Sequence, residues 1–227
     1  MDRSSSADVV PRREPLTRER VLQAAVELVD ERGLGSLTMR RLGSRLGVEA
    51  MALYRHVANK DEILDGIVEL VVGEIEIPAS GSEWRVAMTL RAHSARDVLR
   101  RHPWAIGLME SRGVSQPATL RYLDAVIASL RAGGFSVEMA AHAFWLLDSF
   151  VFGQVIQELS VSIEAARQGS AAGADELEQV DLTDFPHFAE VAASAVSSGY
   201  SVDAEFEFGL ELVLDALDRI KAKESAR

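Results

Sequence analysis

The sequence predicts an all-α chain, and three observations carry that expectation. Apolar residues recur at three- and four-residue intervals along most of the chain after Thr17, the spacing of one helix face. No stretch alternates apolar and polar residues as a half-buried strand would, and no internal repeat is present. Three helical runs also fit between Thr17 and Val57, the second and third divided by a glycine, which is the outline of a helix-turn-helix. The 227 residues are 48% apolar, enough for a substantial core. The expected organisation is an arm over residues 1–15, a three-helix helix-turn-helix domain over 16–62 and a larger helical domain over 63–227.

The elements follow in order. Residues 1–15 hold two prolines, three consecutive serines and mixed charge without apolar periodicity, so they read as a mobile arm. Thr17 caps a first helix whose Val21, Leu22, Ala25, Val26, Leu28 and Val29 repeat until Gly33 stops it. Ser36 or Thr38 caps a second, short helix through "TMRRLGSRL", with Leu42 and Leu46 inward and Gly47 supplying the left-handed turn. "EAMALYRHV" forms the third, and Asn59 caps a fourth beginning "KDEILDGIVELVV". Further helices are expected at 82–100, 103–110, 116–132 and 184–197, with a flexible loop over Arg167 to Asp184, where Gly, Ala and acidic residues interrupt the periodicity.

Composition excludes several chemistries. Without cysteine there is no disulfide framework, thiol nucleophile or thiolate metal site. The N-terminus lacks the apolar stretch of a signal peptide, and no run of about 18 apolar residues offers a membrane span, so a soluble, cytoplasmic protein with no membrane partner is expected. The net charge of −11 is unevenly spread. Residues 1–60 hold 11 Lys and Arg against 8 Asp and Glu, a net of +3, and the remainder carries −14. Because charge is screened over about 8 Å at physiological salt, a local basic face can hold phosphates beside an acidic body.

The third helix is the informative one. Val48, Ala52 or Leu53, and Val57 can face the core, which leaves Glu49, Ala50, Met51, Tyr54, Arg55 and His56 outside or at the rim. A helical hairpin with a glycine turn is by itself often mere architecture. Held proud of the surface, however, such a helix enters the major groove and touches base edges, while neighbouring side chains hold phosphates. Tyr54 and Lys60 suit phosphate oxygens, and Arg40 can fork onto guanine. The candidate DNA contacts are Thr38, Met39, Arg40, Glu49, Ala50, Met51, Ala52, Tyr54, Arg55, His56 and Lys60.

These residues carry a resemblance. The run from Leu16 to Ile67, with "SLTMRRLGSRLGV" and "LYRHVANK" in order and spacing, resembles the DNA-binding domain of the TetR family of bacterial repressors. "GFSVEMAAHAFWLLDSFVFGQVIQE" and "AEFEFGLELVLDALDRI" resemble, more weakly, the two long helices that form the dimer's four-helix bundle in the tetracycline-repressor branch. The resemblance implies a homodimer that sets two helix-turn-helix units in successive major grooves of a palindromic double-stranded operator. A ligand preferring a dimer with altered head spacing then draws it off DNA. The apolar pattern agrees: Phe206, Phe208, Leu210, Leu212, Val213, Leu214, Ala216 and Leu217 are too many for one stripe, so a second face, with Leu210 and Leu214, is expected against another chain.

The resemblance also implies a small-molecule effector site in residues 63–227, with the candidates Trp104, Met109, His142, Phe144, Trp145, Asp148 and Phe152. Trp84, Met88 and Phe150 add apolar bulk, and Gln154 and His187 are further polar groups. The pattern departs from the tetracycline repressors at the drug site. Their magnesium-holding histidine falls at Met109, which does not ligate a hard cation, and their drug-gripping polar positions fall at Glu76 and Arg91. A largely apolar effector bound without metal is therefore expected, with no metal site and no cofactor. A helical enzyme using His93, His102, His142 or His187 is the alternative from another class, but no histidines stand at the i, i+4 spacing of a "HExxH" site and no catalytic carboxylate pair stands out. A DNA-binding protein without an effector is the other.

Overall fold

The computed structural model describes residues 15–77, 79, 81–112, 116–168, 182–198 and 201–225. Among the described residues the regular structure is helical throughout, with no strand. The α-helices are α1 (Arg18–Arg32), α2 (Met39–Leu46), α3 (Ala50–Leu53), α4 (Lys60–Gly73), α5 (Trp84–Arg101), α6 (Trp104–Ser111), α7 (Pro117–Ala132), α8 (Val137–Gln168), α9 (Pro186–Ser198) and α10 (Val202–Ser225). Two compact units meet between Ile67 and Val68, inside α4. The expected arm, Pro15 aside, lies outside the described residues, as does most of the expected loop at 167–184. Arg167 and Gln168 belong to α8, which runs further than the loop expectation allowed.

In the N-terminal unit the helix ends obey local chemistry. Thr17 accepts the Arg20 N–H, and Gly33, at φ +74°, returns its own N–H to the Val29 carbonyl. Of the two cap candidates for α2, Thr38 does the work, accepting from Arg41 N–H at 3.2 Å, whereas Ser36 is buried and donates its hydroxyl to the Leu28 carbonyl. Gly47 ends α2 in the left-handed conformation, φ +68° and ψ 32°. The third helix is shorter than expected. Regular geometry stops at Leu53, and the Arg55 and His56 N–H groups bond back three residues, to Ala52 and Leu53, which tightens the last turn. Asn59 caps α4 as expected, accepting the Glu62 N–H, and the Glu62 carboxylate reaches back past the cap to the Ala58 N–H at 2.6 Å, so the two side chains satisfy a backbone donor on either side of the helix start.

The C-terminal unit is a bundle in which α5 packs against α7, α8 and α10. Trp84, Met88, Ala95 and Leu99 of α5 are buried along one stripe, with α8 supplying Ala140, Ala143, Leu147, Val151 and Val155. Ionic contacts tie the helices. Arg85 reaches Glu211, Asp215 and Asp218 of α10, and Arg96 joins Glu158 of α8 at 2.8 Å and Asp203 of α10 at 2.6 Å with its guanidinium over the Phe206 ring. By length and composition alone, Val137–Ser160 is long and apolar enough to cross a membrane, contrary to the sequence expectation. Here, however, it carries Asp148 and Glu158 inward to arginines, as a bundle-core helix does.

One expectation is corrected in α10. Leu210 and Leu214 are 1% and 0% exposed and pack, with Phe206 and Leu217, inside this chain's own bundle. The second apolar face exists but consists of Phe208, Leu212 and Ile220. Residues four apart share a face, so 206–210–214 and 208–212 are different stripes of one helix.

Candidate functional site

Two sites were expected, and each lies within one unit. In the N-terminal unit, α2 and α3 approach so closely that a Cβ on Gly43 would stand 2.8 Å from the Val48 carbonyl oxygen and 3.2 Å from the Ala50 nitrogen. Glycine is what lets the two backbones touch. Leu53 and Val57 are buried beneath α3, settling the choice between Ala52 and Leu53, while Val48 is only half-buried. Outward stand Glu49, Met51 at 74% exposure, Tyr54 at 47% and Arg55, with Ala50, Ala52 and His56 at the rim. Thr38, Arg40 and Lys60 are exposed and Met39 is half-buried.

Charge is sorted over this unit. Arg45 is held by Glu27 at 2.9 Å and Glu31 at 2.7 Å, and Arg18 by Glu62 at 3.2 Å. The Ala58 N–H and then Arg18 hold the Glu62 carboxyl below its ordinary range. Arg40, Arg55 and Lys60, by contrast, have no acidic partner among the described residues. Glu62, Glu27 and Glu31 thus engage Arg18 and Arg45, while Arg40, Arg55 and Lys60 stand near the exposed end of α3. Free guanidinium and ammonium groups beside an exposed helix are what phosphate and guanine recognition uses.

In the C-terminal unit the expected effector residues separate into two groups. Phe144 is buried, and Trp104, Met109, Asp148 and Phe152 are partly buried. His142 and Trp145 are not with them. His142 is exposed near Glu138, and Trp145 is 66% exposed on the solvent side of α8, because 142, 145, 149 and 156 form a different stripe from 140, 144, 147 and 151. Trp84 and Met88 are core, with Trp84 edge-on to Phe135, and Phe150 packs on Phe206 and Gly209. Gln154 is partly buried, and His187 is exposed at the start of α9.

The polar heart of this unit is Arg91. It is 2% exposed, donates from Nε to the Tyr122 hydroxyl at 2.7 Å and pairs through Nη2 with Asp148. Its Cζ lies 5.4 Å from the centroids of both the Tyr122 and Phe144 rings. Burial pushes the Tyr122 hydroxyl up to about 12, so it stays protonated at neutral pH. Burial also pushes the Asp148 carboxyl up, opposed by Arg91. Tyr122 escaped the sequence reading, although a signal for Arg91 was available: it falls on the stripe of Trp84, Met88, Ala95 and Leu99, where a cation is out of place. Glu76, the other departure, is exposed, and its N–H donates to the Ser94 hydroxyl. Among the described residues no three His, Asp or Glu converge as a metal site.

Comparison with known proteins matches both units. A family profile described as "Bacterial regulatory proteins, tetR family" covers residues 21–67, and one described as "Tetracyclin repressor-like, C-terminal domain" covers 77–220. An HTH-type transcriptional regulator of Saccharopolyspora erythraea is 33% identical over 88% of this chain and 83% of its own. The class A tetracycline repressor of transposon 1721 from Escherichia coli is 30% identical over 87% and 88%. The crystal structure of the Streptomyces coelicolor protein ActR in complex with actinorhodin superposes with a TM-score of 0.72 at 29% identity, covering 92% of this chain and 99% of that one.

Proposed function

This chain belongs to the TetR family of DNA-binding transcriptional regulators, and from that premise we propose that it is a homodimeric repressor, released from a palindromic operator by a small-molecule effector. The observation that carries the DNA half is the distribution of free charge. Arg40, Arg55 and Lys60, with Tyr54, stand near the exposed α3, while Arg45 and Arg18 behind it are bound to Glu27, Glu31 and Glu62. In this reading Arg40 and the exposed residues of α3 meet base edges and Tyr54 and Lys60 meet phosphates.

The dimer reading rests on the outward apolar side chains of two adjacent long helices, Trp145, Leu146 and Ile156 of α8 with Phe208, Leu212 and Ile220 of α10. Exposed surfaces of this kind mark interaction sites. Trp145, taken from the sequence for an effector contact, belongs with this face. The effector reading rests on Phe144, Asp148 and Tyr122 around the buried Arg91, on the partly buried Trp104, Met109 and Phe152 of the same unit, and on solved relatives such as ActR, whose structure holds actinorhodin. Acting on chromosomal DNA places the protein in the cytoplasm, with α8 as bundle core and not a membrane span.

The test begins with a duplex selected by the protein from a random library. A palindromic consensus bound by a sedimenting dimer, and released by compounds that raise the melting temperature, is the expected result. Enrichment of no sequence at moderate salt, or a monomer on DNA, overturns the reading.

A further inference from the structure

One carboxylate of the N-terminal unit stands apart from the rest. Glu19 accepts from the Thr17 hydroxyl, Glu27 and Glu31 from Arg45, and Glu62 from the Ala58 N–H and Arg18, while Asp30, Asp61 and Asp65 are engaged as well. Glu49 is exposed, and its carboxylate has no hydrogen-bond or ionic partner among the described residues. It occupies the N-cap position of α3, at φ −68° and ψ 144°, yet its side chain caps nothing, and only its carbonyl accepts, from the Ala52 N–H at 2.9 Å. The N-terminal end of a reading helix is where side chains meet base edges. On a surface that meets a polyanion, such a carboxylate is repelled by every phosphate unless it reaches a hydrogen-bond donor. The major groove offers amino donors on two bases, cytosine at N4 and adenine at N6, whereas guanine and thymine present acceptors. The adenine amino group lies beside the N7 acceptor, whose lone pair opposes an approaching carboxylate. The cytosine amino group lies beside a C–H, which does not.

We propose that Glu49 determines operator specificity: its carboxylate accepts from the N4 amino group of one cytosine in each half-site and repels bases that present acceptors. This rests on the reading of α3 as the helix in the major groove. Glu49 thereby weakens binding to DNA at large and recovers the loss on the correct site, a discrimination that phosphate-binding cations, attractive to any duplex, do not supply.

Selection from a random duplex library by the full chain and by its Glu49→Ala and Glu49→Gln variants tests the assignment, followed by gel-shift titration. The wild-type consensus should hold one C·G pair per half-site that relaxes in Glu49→Ala and turns to A·T in Glu49→Gln, because glutamine bonds adenine at both N6 and N7. Exchanging that C·G pair for T·A in the selected duplex should weaken wild-type binding about tenfold and leave Glu49→Ala binding unchanged. Both variants should keep the wild-type melting temperature, the side chain being exposed, and should bind an unselected duplex about threefold more tightly with the repelling charge gone. A merely structural role at the helix start would instead lower the melting temperature and weaken binding to all duplexes alike, and that pattern would overturn the inference. So would identical wild-type and Glu49→Ala profiles, or a relaxed position that holds A·T in the wild-type profile. Failure of the wild-type chain to enrich any sequence would overturn the helix-turn-helix reading with it.

Discussion

Adding one methyl group to Gly43 tests the whole argument for the DNA-reading unit. In Gly43→Ala the new Cβ meets the Val48 carbonyl oxygen at 2.8 Å, the Ala50 nitrogen at 3.2 Å and the Ala50 Cα at 3.3 Å, all of them backbone atoms with no rotamer to yield. Alanine gains about 1 kcal/mol of helix propensity over glycine in α2. Overpacking costs about 1–3 kcal/mol, so the variant should lose up to about 2 kcal/mol of stability. Relieving the closest contact to an ordinary 3.4 Å requires α3 to move by about 0.6 Å. Hydrogen bonds to base edges tolerate a spread of about 0.5 Å, from 2.7 to 3.2 Å, so operator affinity should fall about tenfold, or 1.4 kcal/mol. The assay is a gel-shift titration on the selected duplex beside a thermal melt. Gly35→Ala is the control, since nothing lies within 4 Å of a Cβ there. A Gly43→Ala protein that melts with the control and binds as wild type would show that α2–α3 contact does not set the position of the reading helix.

The other predictions concern charge and assembly. Arg40→Ala, at an exposed position, should leave the melting temperature unchanged but lose about 1–3 kcal/mol of binding and relax base preference at one position per half-site; an unchanged selection profile removes Arg40 from the base-reading set. Leu212→Glu, at 51% exposure on α10, should yield a folded monomer by sedimentation, whereas Leu210→Glu, at 1%, should fail to fold as a charge stranded in the core; a Leu212→Glu dimer as stable as wild type refutes the interface. Because the Glu62 carboxyl is held below its ordinary value, its stabilisation is present above the carboxylate range of about 4.3 and lost as pH falls through the folded value. The melting-temperature gap between wild type and Glu62→Gln should therefore close on acidification, and a gap that is constant from pH 7 to pH 3 rules this out.

What the sequence by itself determined was whatever depends on near neighbours along the chain. Thr17, Thr38 and Asn59 cap where a short polar side chain precedes an apolar period, Gly33 and Gly47 end helices where a positive φ is needed, and the three-helix unit follows from their spacing. Periodicity also showed that α10 carries more apolar residues than one face can use. Which stripe turns inward was decided by tertiary packing: Leu210 and Leu214 face α5 and α8 while Phe208 and Leu212 do not, and both stripes read alike in one dimension. The same holds on α8, where Phe144 and Trp145 are neighbours in sequence but one is buried and the other exposed. Gly43 is only a helix-weakening residue until the Val48 carbonyl is found against it. The Arg91, Tyr122 and Asp148 cluster joins residues 31 and 57 positions apart. Its physical basis is long-range compensation, since a buried cation is tolerable only where the fold brings it an anion and an acceptor, and no local pattern specifies which ones.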